Sequence, residues 1–233
     1  MKKVKFYKGD MMEVEIYKLV DFYDSILRQP TVPVKLETHD DFEYAKKLAF
    51  NLAETLGHYQ GLGLSANQVG LKDRVCAINM GAEIWTLFNP EIIERSAVPS
   101  TYQEGCLSYP GLYLTVERSE WIKVKFQAVG GQWVEERVSG LTAVCIQHEI
   151  DHLDGIMYTD KVSSIKLDQA KRKVKKNLKK MEEASLRFAQ EQQYLAQQKL
   201  EQEKPMIKIL DNPAPAPATV KKPEKFVYNP EIA

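Results

Sequence analysis

The stretch QHEIDH, residues 147–152, decides how this chain is read. It sets His148, Glu149 and His152 in the order H-E-x-x-H. On an α-helix, residues four apart lie one above the other on the same face. Two imidazoles so placed can grip one metal ion, with the glutamate between them near enough to act as a general base. Helical steps toward the N-terminus meet Cys145, Val144 and Leu141, a stripe that predicts a buried face with the histidines turned inward. Ser139 is the expected N-cap and Gly155 the expected stop. The bland alternative is a pair of core histidines satisfied by backbone carbonyls. It would bury two imidazoles and an acid without a shared purpose, against a desolvation cost.

Two histidines do not close a metal site, and the third ligand selects the chemistry. A continuation H-E-x-x-H-x-x-G-x-x-H has Gly155 in place but ends on Tyr158. Glu182 and Glu183 are acids of the right type downstream, but they follow a strongly basic, solvated run. A thiolate is the third option. Cys106 lies in QEGCLSYPG, where a strand runs into a turn bearing glycine and proline that can hold a ligand rigidly, and the weight falls there. Cys145 reads as packing on the helix face and Cys76 as core.

A length of 233 residues suits one sizeable core with extensions. Thirty-two basic and 32 acidic side chains balance, so net charge points to neither nucleic acid nor membrane. Three cysteines without paired spacing argue against a disulfide framework. The opening MKKVKFYKGDMMEVEIYK interrupts its apolar runs with charge, unlike a signal peptide. No run reaches the roughly 18 apolar residues of a membrane span. The expectation is a soluble, cytoplasmic protein, monomeric by default.

Residues 1–16 alternate loosely and suit an edge strand or an arm. Residues 40–57 carry Phe42, Ala45, Leu48, Ala49, Leu52 and Leu56 at helical spacing, and the glycines of GLGLSANQVG (61–70) then mark a tight loop. From Arg74 to Val138 short β-prone runs dominate, with Gly130-Gly131 as a hairpin signal. Residues 1–163 read as the catalytic domain, 164–203 as a basic amphipathic helical extension, and 204–233, containing NPAPAPA, as a disordered tail.

GLGLSANQ (61–68), EGCLS (104–108) and QHEIDHLDG (147–155) together resemble, in order, the three signature motifs of the peptide deformylases. The resemblance covers about residues 18–162. It implies an α+β fold, with antiparallel sheets around a central helix carrying the HExxH residues and a long C-terminal helix following. It implies one divalent metal ion held by Cys106, His148 and His152, and removal of the formyl group from N-formylmethionyl peptides with release of formate. Fe(II) is favoured by the resemblance; Zn(II), Ni(II) and Co(II) also suit two imidazoles and a thiolate. Glu149 is then the general base and acid, with the Gln68 side-chain amide and the Leu107 backbone N–H as donors to the oxyanion. Gly61, Gly63 and Gly105 would let the peptide backbone approach. Leu62, Tyr102, Leu141, Val144 and Cys145 would wall the methionine pocket, and Asp151 would pair with Arg118. Two departures stand out: Ser65 replaces the usual alanine, and Tyr113 stands where bacterial members often carry arginine.

Beyond the catalytic region, residues 165–180 hold eight lysines or arginines and one acid. Leu167, Val174, Leu178, Met181, Phe188 and Leu195 approximate one apolar stripe. Clustered lysines supply sequence-independent phosphate binding, and the resemblance extends to family members that contact the ribosome through a C-terminal helix.

Overall fold

A computed structural model describes residues 4–7 and 10–202, with side chains from Glu13 to Lys199. The expected disordered tail at 204–233 lies outside the described residues. Two short strands, β1 (Val4–Tyr7) and β2 (Asp10–Glu13), pair antiparallel, which places the N-terminal strand expectation in a hairpin.

Helix α1 spans His39–Tyr59. Its start is fixed by a reciprocal cap: Asp41 N–H donates to Thr38 Oγ1 (3.2 Å) and Thr38 N–H donates to Asp41 Oδ2 (2.9 Å). The GLGLSANQVG segment is more ordered than its glycines suggest. Gly63–Ser65 form β3, Ala66–Val69 a 3₁₀ turn, and Gly70 closes it at φ 82°. The cause is non-local: Leu64 pairs with Ala77 across β4 (Val75–Asn79), a partner the local sequence cannot reveal.

Strands β5 (Ile84–Arg95), β6 (Pro99–Cys106), β7 (Tyr109–Ser119), β8 (Trp121–Gln127) and β9 (Trp133–Ser139) follow. One antiparallel sheet runs β3-β4-β5-β8-β9, while β6 and β7 form a separate pair. Gly131, at φ 83°, turns the chain from β8 into β9 as the hairpin signal predicts.

Alternation along β4 sorts the core. Val75 and Ala77 pack with Leu48, Leu52 and Leu56 of α1. Cys76 and Ile78 face the other way, onto Ala143, Ile146 and Ile150 of α2 (Gly140–Leu153). Helix α2 also meets β3, β7, β8 and β9, so it is surrounded by sheet. The single buried stripe expected of it needs correction. The helix is buried on several faces, and Leu141, in its first turn, is 56% exposed.

Helix α3 spans Ser164–Gln202. Leu167, Ala170 and Val174 pack against Leu112, Leu114, Val116 and Tyr158. Leu178, Met181, Phe188 and Leu195 are exposed, so the apolar stripe is covered only at its beginning. Among the described residues, those up to Met181 cluster as one compact unit and those from Glu182 to Gln202 as another. Among the described residues no helix is long and apolar enough to cross a membrane.

Candidate active site

Three elements bring the chemistry together. Strand β6 ends on Cys106 at the tight turn into β7, α2 supplies His148 and His152, and β3 with its 3₁₀ turn supplies Gly63 and Gln68. Ligand atoms of Cys106, His148 and His152 all lie within 4.8 Å of one another. His152 Nε2 is 3.2 Å from Cys106 Sγ, and the two imidazole centroids are 4.8 Å apart.

The residues fit a metal ion. Glu104 Oε2 holds His148 Nδ1 at 2.8 Å, which leaves Nε2 of that ring for a ligand. Thiolate plus two imidazoles is a set for a borderline or soft divalent ion. Glu149, between the histidines in sequence, lines the same cavity, and its buried Oε2 has no hydrogen-bond partner among the described residues. A buried carboxylate oxygen left unpaired is costly, so that vacancy suits water or substrate in the cavity. Tyr158, at the position a third histidine would take, turns its hydroxyl to Leu112 O (2.9 Å) and serves the fold.

Electrostatics divide the site's protons. Burial raises the Glu149 carboxyl to about 7, against the opposing pull of His148 and the Ser65 hydroxyl. His148 is raised despite burial, because Cys106 and Glu104 favour its cation. Burial and the neighbouring His148 both lower His152. A ligating His148 must give up its proton, so metal binding here is coupled to proton release. Burial lifts the Cys145 and Cys76 thiols well above their usual range, which leaves both as packing residues.

Glu104 is the residue sequence reasoning missed. Arg118 grips it through Nε (2.6 Å) and Nη2 (2.8 Å), and Arg118 also binds Asp151, the pairing expected from the motifs. Burial alone would raise Glu104, but Arg118 and His148 outweigh it and hold it at about 2. The available signal was an acid two residues before Cys106 on the same strand. Removing Glu104 takes two of three carboxylate contacts from a guanidinium whose side chain is only 3% exposed, leaving it Asp151, and also takes the partner of His148 Nδ1. Glu104→Ala is therefore expected to cost about 3–5 kcal/mol, read as a lowered urea midpoint at unchanged slope.

The cavity beside the ligands has a volume of about 560 Å³. Leu62, Gly63, Gly105, Leu107, Leu141, Val144 and Cys145 all line it. Tyr102 does not, whereas its neighbour on β6, Gln103, reaches the cavity. Gly63 is demanded by the site itself, because a Cβ there would lie 2.3 Å from Glu149 Oε1 and 2.8 Å from Cys145 Sγ. At Gly105 a Cβ would meet the Tyr113 ring at 2.8 Å, so Tyr113 covers that strand end. Glu182 and Glu183 are exposed on α3 and are not part of the Cys106–His148–His152 group.

Comparison with known proteins agrees with this arrangement. Residues 16–168 match the polypeptide deformylase family. A peptide deformylase of Thermotoga maritima is 40% identical over 151 residues, covering 65% of this chain and 90% of the relative. The crystal structure of a Legionella pneumophila peptide deformylase superposes with a TM-score of 0.64 at 35% identity, over 72% of this chain and 98% of that one. A class I type b enzyme from Acinetobacter baumannii, solved with Met-Ala-Ser bound, gives a TM-score of 0.58 at 29% identity, over 64% and 99%. With the α+β fold and the Cys–His–His group in place, this chain belongs to the peptide deformylase family, hydrolases that remove the N-formyl group from nascent peptides.

Proposed function

We propose that Cys106, His148 and His152 hold one divalent ion and that Glu149 carries the proton as this chain hydrolyses N-formylmethionyl peptides to formate and a free N-terminus. The observation that carries the assignment is the convergence of three ligand atoms beside a buried carboxylate with an unpaired oxygen. When bound, the ion supplies Lewis acidity, polarising the formyl carbonyl and making nearby water acidic. Glu149 accepts the water's proton at Oε2 and delivers it to the departing nitrogen. Gln68 Nε2 and the Leu107 N–H stabilise the oxyanion. Gly63 and Gly105 let the peptide backbone approach, and Leu62, Leu141, Val144 and Cys145 receive the methionine. The Met-Ala-Ser seen bound to the Acinetobacter relative is the peptide that deformylation of formyl-Met-Ala-Ser would leave, which supports that substrate as a probe.

Fe(II) is the proposed working ion, on the family resemblance and the soft donor set. The basic run at 166–180 supports ribosomal RNA as a partner for α3, since lysine clusters neutralise phosphates without regard to sequence. Residues 1–163 are proposed as the catalytic domain and 164–203 as its helical extension, in a cytoplasmic monomer. The test is formate release from formyl-Met-Ala-Ser by anaerobically prepared, Fe(II)-loaded full chain. Rapid release is expected. One bound metal equivalent without release would mean an inactive scaffold, and cleavage of internal amides instead would mean a peptidase. Gln68→Ala is expected to lower kcat by about 10²–10³, the usual loss for one oxyanion donor, in the same assay.

A further inference from the structure

Ser65 makes contacts that the reaction described so far does not use. It is fully buried at the end of β3, and two of its donors converge on one acceptor. Its backbone N–H donates to Gln68 Oε1 at 2.9 Å, and its hydroxyl donates to the same oxygen at 3.0 Å. A backbone N–H can only donate, so the atom it meets must be the carboxamide oxygen. The amide nitrogen is thereby turned to the opposite side. There Gln68 Nε2 lies 3.1 Å from Ser108 Oγ and 3.4 Å from Cys106 Sγ, at the rim of the ligand group.

We infer that Ser65 is a positioning residue for the hydrolysis: its two donors clamp the oxygen of Gln68 and so aim the amide NH₂ at the reacting carbonyl. The inference rests on Gln68 acting as the oxyanion donor proposed above. A terminal glutamine torsion is broad and roughly two-fold, so a single hydrogen bond leaves the carboxamide free to rock. A second donor from a different direction fixes the amide plane. A donor already aimed before charge develops needs no reorganisation during the reaction, and that is the source of its catalytic effect. The Ser65 hydroxyl has one proton to give and two acceptors within reach, Gln68 and Glu149. Those two partners predict different couplings.

A double-mutant cycle separates them. Ser65→Ala, Gln68→Ala and the double variant are made in the full, metal-loaded chain, and kcat and KM for formyl-Met-Ala-Ser are measured alongside metal content. Ser65→Ala is expected to lower kcat about three- to tenfold, the effect of one net hydrogen bond, with KM and metal stoichiometry unchanged. In the Gln68→Ala background the same change should have no further effect. An unchanged kcat in Ser65→Ala, while Gln68→Ala still loses activity, would overturn the positioning role alone. Persistence of the Ser65→Ala loss without Gln68 would overturn it as well, and would place the hydroxyl's action on Glu149. A fully active Gln68→Ala enzyme would remove the donor itself and both assignments with it.

Discussion

Glu149→Gln should retain the metal and lose formate release by on the order of 10²–10⁴, the range for a positioned general acid–base. The substitution keeps size and shape, and it leaves Cys106, His148 and His152 untouched. Oε2 makes no hydrogen bond among the described residues, so an amide nitrogen there breaks none of theirs. What changes is the ability to take a proton from water and return it to the amine. Because a buried acid is exchanged for a neutral amide, the melting temperature of the variant should equal or exceed the parent's. Metal content by elemental analysis, melting temperature and formate release together make the result decisive. Retained metal and stability with collapsed turnover assigns the base, and surviving turnover would assign it elsewhere.

Much of this site could be read from the chain because its chemistry sits in local patterns. The HExxH spacing is dictated by helix geometry, and α2 brings His148 and His152 together with Cys106 in one ligand group. Cys106 was legible because a strand running into a Gly- and Pro-bearing turn is itself a local signal. The residues that escaped depend on long-range pairing. Glu104 acquires its role only when β7 brings Arg118 beside it and α2 brings His148 to its other oxygen. Ser65 could be seen as a departure from the family motif, but its meaning needs the fold of the 3₁₀ turn that carries Gln68 back over it. Tyr102 marks the converse failure. It lies four residues before Cys106 on the same strand, yet its side chain does not line the cavity. Proximity along the chain is a poor guide wherever a side chain's direction is set by the element's start or by a neighbouring strand.

Cys106→Ala should abolish formate release by a different route, through the loss of bound metal. The side chain is only partly buried, packed at the edge of the Leu112, Leu114, Val116 and Tyr158 cluster, so its truncation should leave the fold in place. With two imidazoles left, the donor set falls below the three protein ligands of a catalytic site of this kind. Linkage gives a readout independent of turnover. A ligand that binds only the folded state adds RT ln(1 + [L]/Kd), about 2.7 kcal/mol when present at 100 times its Kd. The parent's melting temperature should therefore drop when a chelator strips the ion, while that of Cys106→Ala should not move. Cys106→Ser should fall between them, because a hydroxyl is a harder and weaker ligand than a thiolate for the ions that imidazoles suit. If Cys106→Ala kept a chelator-sensitive melting temperature, the ion would be held without the thiolate, and the third ligand would have to be sought among the acids beside it, Glu149 first.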